Sequence, residues 1–481
     1  MFLNLPQDII LAVCEHLQPQ DLLLLQQTCR GLHDLTAADY LWRGLSFDLP
    51  LDLPAVRSNL SGRQIQQSAV RALRVEHNWH QRQSKIRRLT RIPNLGTVVQ
   101  LQLIGPSSQH LVLLSHSGRV RHTRVTTHLS VWHIPSSGQP SCLTSIEVPH
   151  AKNSKFTAAY CDRNQEALIA VSAGDNHVKS LLKVFTVSLH DVRDGFDNNS
   201  SVAKEIFCEM RTDDGEIFFD VQISGSTIVA GLATLAQDTS SMIPVAYQIL
   251  LIDLNTHRRT VVGIPSQGLE RIRLKLYRDV LFVIGVQNTA LLVSTHQWPP
   301  DAEVVANGEQ LPWMSKYRLV VPGPDFEYHL SDENTALCDP TLTLLALTDH
   351  ASSFSAYPQQ KISVFNIAFK SNTVSDEERP LNPSYVFTPA RGAYRAFICL
   401  GKTGYRLVWQ ENWVGEDTEM DEYQFMKASF SESSGVYAEP LWPKHAVLPF
   451  QPSASRSACF EEATGKLCLA LWTEEVYVVQ F

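Results

Sequence analysis

Four short stretches decide the reading of this chain: HLSVWHI (128–134), LLKVFTV (181–187), YQILLIDL (247–254) and KISVFNI (361–367). Each sets β-branched, aliphatic or aromatic residues on alternate positions, the period of a strand whose side chains turn to opposite faces. Outward from them lie shorter runs of the same texture, broken by Gly, Pro, Asn, Asp and Ser. Around the first stretch the runs are 97–104, 110–115, 129–134 and 143–148. Four more fall within 156–210, four within 217–264 and four within 271–321. Residues 342–347, 361–369 and 385–387 follow, then 394–400, 405–410, 422–430 and 446–450, and three closing runs between 457 and 481.

Four strands about every 50 residues is the rhythm of radial repetition, and it predicts a β-propeller of about seven blades. A pair of β-sandwiches is the alternative, and a fourfold rhythm held over almost 390 residues disfavours it. The last group has one strand too few, and an unclosed ring would leave bare edges. The segment KIRRLTRI (85–92) has strand character just before the first blade. Residues 84–93 are therefore expected to supply the outer strand of the last blade.

Composition bounds the function. With 44% hydrophobic and 19% charged residues the chain is globular rather than disordered. A net charge of -8 argues against a general nucleic-acid binder, which needs clustered cations to neutralise phosphate. The nine cysteines include no CxxC pair, so they read as free thiols of a reducing compartment, with no zinc site and no disulfide frame. No apolar run reaches the roughly 18 residues a membrane span needs. The start lacks a basic leader, and Asp8 and Glu15 interrupt its apolar segment, unlike a signal peptide. A cytoplasmic or nuclear protein is expected, without membrane or nucleic-acid partners.

Ahead of the strands the texture is helical. Pro6 suits a first helical turn and Asp8 favours its positive end. Ile9, Ile10, Val13 and Leu17 recur at helical spacing. Pro19 stops that helix, and a second carries Leu22, Leu25 and Cys29 on one side, with Leu23 and Leu24 pointing elsewhere. Short pieces with Leu32 and Leu35, then Leu41 and Trp42, complete the module. Burying each Leu or Ile is worth about 1.5–3 kcal/mol, yet some 45 residues cannot bury them all. Some must lie under another surface, either the rest of this chain or a separate protein.

In order and spacing, Leu5-Pro6, Asp8-Ile9-Ile10, Val13, Leu17, Pro19, Asp21-Leu22, Leu25, Cys29-Arg30, Leu32, Leu35 and Leu41-Trp42 resemble an F-box. Thr28 departs mildly, standing where the family usually has an apolar residue. The resemblance implies binding to the Skp-family adaptor of a cullin-based (SCF) ubiquitin ligase. By carry-over, Leu5, Pro6, Ile9, Ile10, Val13, Leu17, Leu22, Leu25, Cys29, Leu41 and Trp42 are the contact surface. The third strands of the ring resemble those of tryptophan–aspartate (WD) repeats, although the Gly-His and Trp-Asp dipeptides are missing.

The expected organisation is multidomain, α followed by all-β: an F-box helical cluster over 1–48, a linker with a helix over 49–83, and the propeller over 84–481. LPLDLP (49–54) reads as an extended connector, and Ser61 with Gln64 has the spacing of a capping box. Seven basic residues (Arg71, Arg74, Arg82, Lys85, Arg87, Arg88, Arg91) face one acid, Glu76, within 71–91; a solvated face is the expectation. His77 and His80 have no further ligand nearby, so no metal is expected there.

Catalytic motifs are near misses. AFICLGKT (396–403) lacks the first P-loop glycine and sits where a hairpin turn is expected, not a strand entering a helix. SESSG (431–435) fails as a nucleophile elbow at its first position. No HExxH occurs. The expectation is a non-catalytic receptor with no cofactor, whose ring presents loops 234–243, 301–314, 350–359 and 411–422 to an unknown target protein. Among these, Asp417, Glu419, Asp421 and Glu422 are acids placed to choose a basic partner motif. The rival readings are a propeller enzyme acting on a sugar or small ester with an F-box-like tether, and an F-box scaffold outside any ligase.

Overall fold

The structure, a computed structural model, describes residues 5–45, 47, 49–53, 60–93, 95–117, 125–149, 153–175, 178–189, 202–211, 215–235, 244–265, 268–277, 280–288, 290–299, 310–319, 326–331, 341–350, 359–368, 378–388, 393–413, 422–431, 435–443 and 446–481. Five helices come first: α1 (Gln7–Cys14), α2 (Pro19–Gln26), α3 (Arg30–Thr36), α4 (Asp39–Gly44) and α5 (Gly62–Trp79).

A strand β1 (Arg88–Ile92) then leads into seven sheets. Blade 1 is β2 (Thr97–Ile104), β3 (His110–Ser117), β4 (Thr126–His133) and β5 (Ser141–Val148). Blade 2 is β6 (Asn153–Cys161), β7 (Glu166–Asp175), β8 (Val178–Ser188) and β9 (Ala203–Arg211). Blade 3 is β10 (Glu216–Ser224), β11 (Thr227–Leu235), β12 (Pro244–Asp253) and β13 (Arg258–Gly263). Blade 4 is β14 (Glu270–Tyr277), β15 (Val280–Gln287), β16 (Ala290–Gln297) and β17 (Ser315–Leu319). Blade 5 begins with β18 (Phe326–Leu330), β19 (Thr341–His350) and β20 (Gln359–Ala368). The chain next lays β21 (Glu378–Leu381) parallel to β17 as a fifth strand of blade 4, and returns with β22 (Tyr385–Phe387) to finish blade 5. Blade 6 is β23 (Ala393–Leu400), β24 (Arg406–Trp413), β25 (Glu422–Ser431) and β26 (Gly435–Pro440). Blade 7 is β27 (Ser455–Glu461), β28 (Lys466–Leu471) and β29 (Val476–Gln480), and its outer strand is β1, antiparallel to β29 from Arg88 opposite Gln480 to Ile92 opposite Val476.

The ring is a seven-bladed propeller, and its cores lie between blades. Seven buried clusters each join two successive blades, the last joining blade 7 to blade 1. Strand alternation explains this. On β3, Leu111 and Leu113 turn toward blade 7 while Val112 and Leu114 turn toward blade 2. On β15, Leu281 and Val283 face blade 3, while Phe282 and Ile284 face blade 5. A strand buried on both sides must read as a continuous apolar run, which is what the second strand of most blades shows.

Polar side chains stitch the inner strands together. Gln102 of β2 brackets Ala158 of β6, Nε2 donating to its carbonyl at 2.8 Å and Oε1 accepting from its amide at 3.0 Å. Gln100 does the same at Phe156, at 2.7 and 3.0 Å. These two amides continue a backbone-like ladder where no strand pairing exists. Between blades 3 and 4, buried Asp220 accepts from the amide of Leu274 at 2.8 Å.

One expectation fails. Residues 446–450 are not the outer strand of blade 6; 435–440 form it, and the later stretch is an irregular crossing to blade 7. Pro449 cannot donate to a ladder there. The basic run near 71–91 is a solvated face, as expected: Arg71, Arg74, Arg82, Lys85, Arg87 and Arg91 are exposed and Arg88 is half-buried, and several of them also reach the ring. Arg71 donates to Ser107 Oγ at 2.6 Å, Arg88 to the carbonyls of Pro135 and Gly138 at 2.6 and 2.7 Å, and Arg91 pairs with Glu475. His80 instead meets Glu76 at 2.6 Å, and His77 meets Gln81.

Candidate functional site

The helical module divides its apolar residues into two sets. Ile10, Cys14, Leu22, Leu32, Leu41 and Trp42 are buried in one cluster that also takes in Ile65, Ala69 and Ala72 of α5. Trp42 donates its Nε1 to the carbonyl of Thr36 at 2.8 Å, which satisfies the polar end of a fully buried ring. The surplus of leucine is thus met in part from within the chain: α5 lies over the short helices.

A close approach holds it there. Gly62 donates its amide to Asp39 Oδ1, and a Cβ at Gly62 would meet the Asp39 Cα at 2.7 Å, so the two helix starts touch only because the residue is glycine. Ser61 caps α5 and Gln64 returns the bond, the capping box its spacing predicted.

The second set faces outward. Leu5, just ahead of α1, and Ile9 and Val13 along it are 43%, 47% and 42% exposed, and Pro6 lies exposed beside them. Leu24 of α2 and Tyr40 of α4 are exposed as well. A shallow cleft of about 360 Å³ runs between Leu5, Gln7, Ile10, Asp34 and Leu35. Leu17, Leu25 and Cys29 are half-buried at the edge of the cluster. The residues read from sequence as one contact surface therefore split. Leu5, Pro6, Ile9 and Val13 present a face, while Ile10, Leu22, Leu41 and Trp42 shape it from inside.

The far end of α5 belongs to the ring. Trp79 is buried among residues of blades 6 and 7 and stacks on Phe460 at 5.3 Å. Lys427 of β25 is fully buried and donates to the carbonyls of Trp79 and Gln81 at 2.5 and 2.6 Å and to Ser84 Oγ at 3.0 Å. A cation there offsets the negative end of the helix dipole and satisfies its last carbonyls. Burial pulls Lys427 down to about 8. Asn78 then turns the chain toward β1, its side chain bonded to both the amide and the carbonyl of Lys85 at 2.9 Å.

Charged groups fill the seam beneath α5. Arg406 of β24, also buried, donates to Glu76 of α5 and, at 2.9 Å, to the carbonyl of Glu462. Burial lowers its pKa to about 10. Asp52 of the connector accepts from the Ser107 amide at 2.6 Å, and Lys466 donates to the carbonyls of Ser107 and Ser108 at 2.7 and 2.8 Å. Burial, reinforced by Glu461, pushes Asp52 up to about 6. Helix, connector and ring are held as one body. Nothing in local sequence marks Arg406 or Lys427, whose partners on α5 stand more than 300 residues away, nor Glu461 or Glu462 beside them.

The turns against α5 join first to second strands (Ser107, Gly465). Turns from second to third strands therefore open on the opposite face of the ring, where Trp413 and Glu422 end the β24–β25 pair. Asp417, Glu419 and Asp421 lie outside the described residues, and Glu422 opens β25. The AFICLGKT stretch is a hairpin: β23 turns at Gly401–Gly404 directly into β24, with no helix to cradle phosphate. Among the described residues no group of three or more His, Cys, Asp or Glu side chains is placed to hold a metal ion, and no helix is long and apolar enough to cross a membrane.

The F-box-like family matches residues 2–48, the stretch that carries α1 to α4. No curated protein matches the chain. An F-box-like domain thus stands at the N-terminus of a seven-bladed propeller.

Proposed function

We propose that this chain is the target-recognition subunit of a cullin-based SCF ubiquitin ligase. Its F-box-like domain docks a Skp-family adaptor, and through it a cullin, while the propeller holds a target protein. The observation that carries this is the unpartnered stripe Leu5, Ile9 and Val13 on a domain of that family. Exposed aliphatic residues in one row are what an apolar partner groove selects.

The chain itself does no chemistry in this reading. Rate comes from holding a target lysine near the ubiquitin-charged enzyme brought by the rest of the ligase, a gain in effective concentration. That gain depends on a stiff link, and the seam under α5 supplies one. We assign target choice to the ring face away from α5, with Asp417, Glu419, Asp421 and Glu422 favouring a basic motif, and we place the protein in the cytoplasm or nucleus.

The test is capture of a recombinant Skp-family adaptor by the full chain. Ile9→Asp with Val13→Asp should abolish it, since a charge in a dry interface costs several kcal/mol. Val386→Asp, on an exposed site of blade 5, should leave it intact. Undiminished capture by the double variant refutes the assignment.

A further inference from the structure

Glu462 follows β27 directly and is fully buried beneath α5. Its Oε1 accepts from both the amide and the hydroxyl of Thr403. Its Oε2 has no hydrogen-bond partner among the described residues. That oxygen rests against Gly401, where a Cβ would come within 2.5 Å of it. The nearby cation attracts the carboxyl but directs its hydrogen bonds elsewhere: Arg406 gives one nitrogen to the Glu462 backbone carbonyl and another to Glu76 of the helix. A carboxylate in this position leaves a charged oxygen bare in a dry seam, whereas a carboxylic acid does not.

We propose that Glu462 is a proton-operated latch on α5. While it carries its proton, Arg406 is free to hold Glu76 and thereby the ring end of the helix. Once ionised, Glu462 competes with Glu76 for the same guanidinium, and the helix end loosens. The inference rests on the docking of α5 alone and holds whatever the ring or the F-box-like domain binds.

The titration supports the geometry. Burial drives Glu462 up from 4.5 to about 7; Thr403 and Arg406 oppose the rise and Glu461 adds to it. An acid whose affinity for its proton is higher when docked favours docking at low pH, and that contribution is lost as pH rises through about 7. With the ordinary value of 4.5 restored once α5 lifts away, linkage gives an increase in α5 opening of about tenfold between pH 6 and pH 8. Other charged groups face the seam. Asp52, at about 6, acts in the same direction but mostly at lower pH, contributing about twofold over that interval. His80 is lowered by burial and Lys427 lies at about 8; both favour docking as pH rises and so cannot imitate the effect. Glu461, Lys466, Arg71 and Lys402 complete the charged surroundings.

The experiment is hydrogen exchange of the full chain at pH 6 and pH 8, corrected for intrinsic exchange, read on peptides covering residues 74–79. Wild type should open about tenfold more at pH 8. Glu462→Gln, which cannot ionise, should reduce the change to about twofold. Thr403→Val removes a donor to the carboxylate and should move the midpoint to higher pH. It gives an independent reading should the glutamine variant fail to fold. Equal opening of wild type at the two pH values overturns the latch. So does a Glu462→Gln variant as pH-sensitive as wild type, or a loss of protection spread over the whole ring.

Discussion

Replacing Trp79 by alanine should unfasten α5 from the propeller without dissolving the helical module. The indole is 1% exposed, stacks on Phe460, and lies under two cations, Arg406 at 5.4 Å and Lys427 at 5.7 Å from its centroid. Removing a buried Trp costs about 3–5 kcal/mol, and each cation lost from its face adds roughly 0.5–1 kcal/mol. The hydrogen bonds from Lys427 to backbone carbonyls survive the change, so the lower part of that range, about 4 kcal/mol, is the reasonable expectation. At 1.4 kcal/mol per decade this is roughly a thousandfold rise in opening of the helix end. Hydrogen exchange resolves it, because residues 65–72 belong to the other cluster, with Ile10, Leu22 and Trp42. Protection should fall across 74–81 and persist across 7–14 and 65–72. Unchanged exchange near residue 79, or equal loss in the short helices, would refute the two-ended anchoring.

Three further outcomes follow from the fold. A chain starting at residue 94 should melt without cooperativity or aggregate, unlike one starting at residue 80, because β29 then loses its partner β1 and fully buried Ile92; calorimetry and size exclusion read this directly. Asp220→Ala should lower the denaturation midpoint through a cost of about 1–3 kcal/mol, since it orphans the buried Leu274 amide between blades, and Asp220→Asn should recover part of it. Neutralising Asp417, Glu419, Asp421 and Glu422 together should weaken capture of basic target peptides while circular dichroism and melting stay unchanged.

The sequence showed the ring more plainly than the seam. Strand texture survives in one dimension because most blades are local: four consecutive runs, paired in order. The capping box at Ser61 was equally local. The fifth strand of blade 4 was not, since Glu378–Leu381 pairs parallel with Ser315–Leu319 across the whole inner part of blade 5. Inside and outside on α1 could not be told apart either. Ile9 and Ile10 are both apolar neighbours, and only the packing of α1 on α3 decides that one is exposed and the other buried. Arg406, Lys427 and Glu462 read as ordinary strand and turn residues. Arg406 and Lys427 take their roles from partners more than 300 residues away on a helix that reads as a linker, and Glu462 from Thr403 in the neighbouring blade.

Ring closure by β1 also sets a schedule. That strand is made about 390 residues ahead of the strand it pairs with. At roughly 5–20 residues per second, the nascent chain carries an unmatched edge for on the order of 20–80 seconds. Throughout that interval the helical end can be complete and competent to meet its partners while the ring still lacks its final blade. A cell making this protein must therefore either shield the waiting strand on the ribosome or accept that the F-box-like domain can be engaged while the ring behind it is still open.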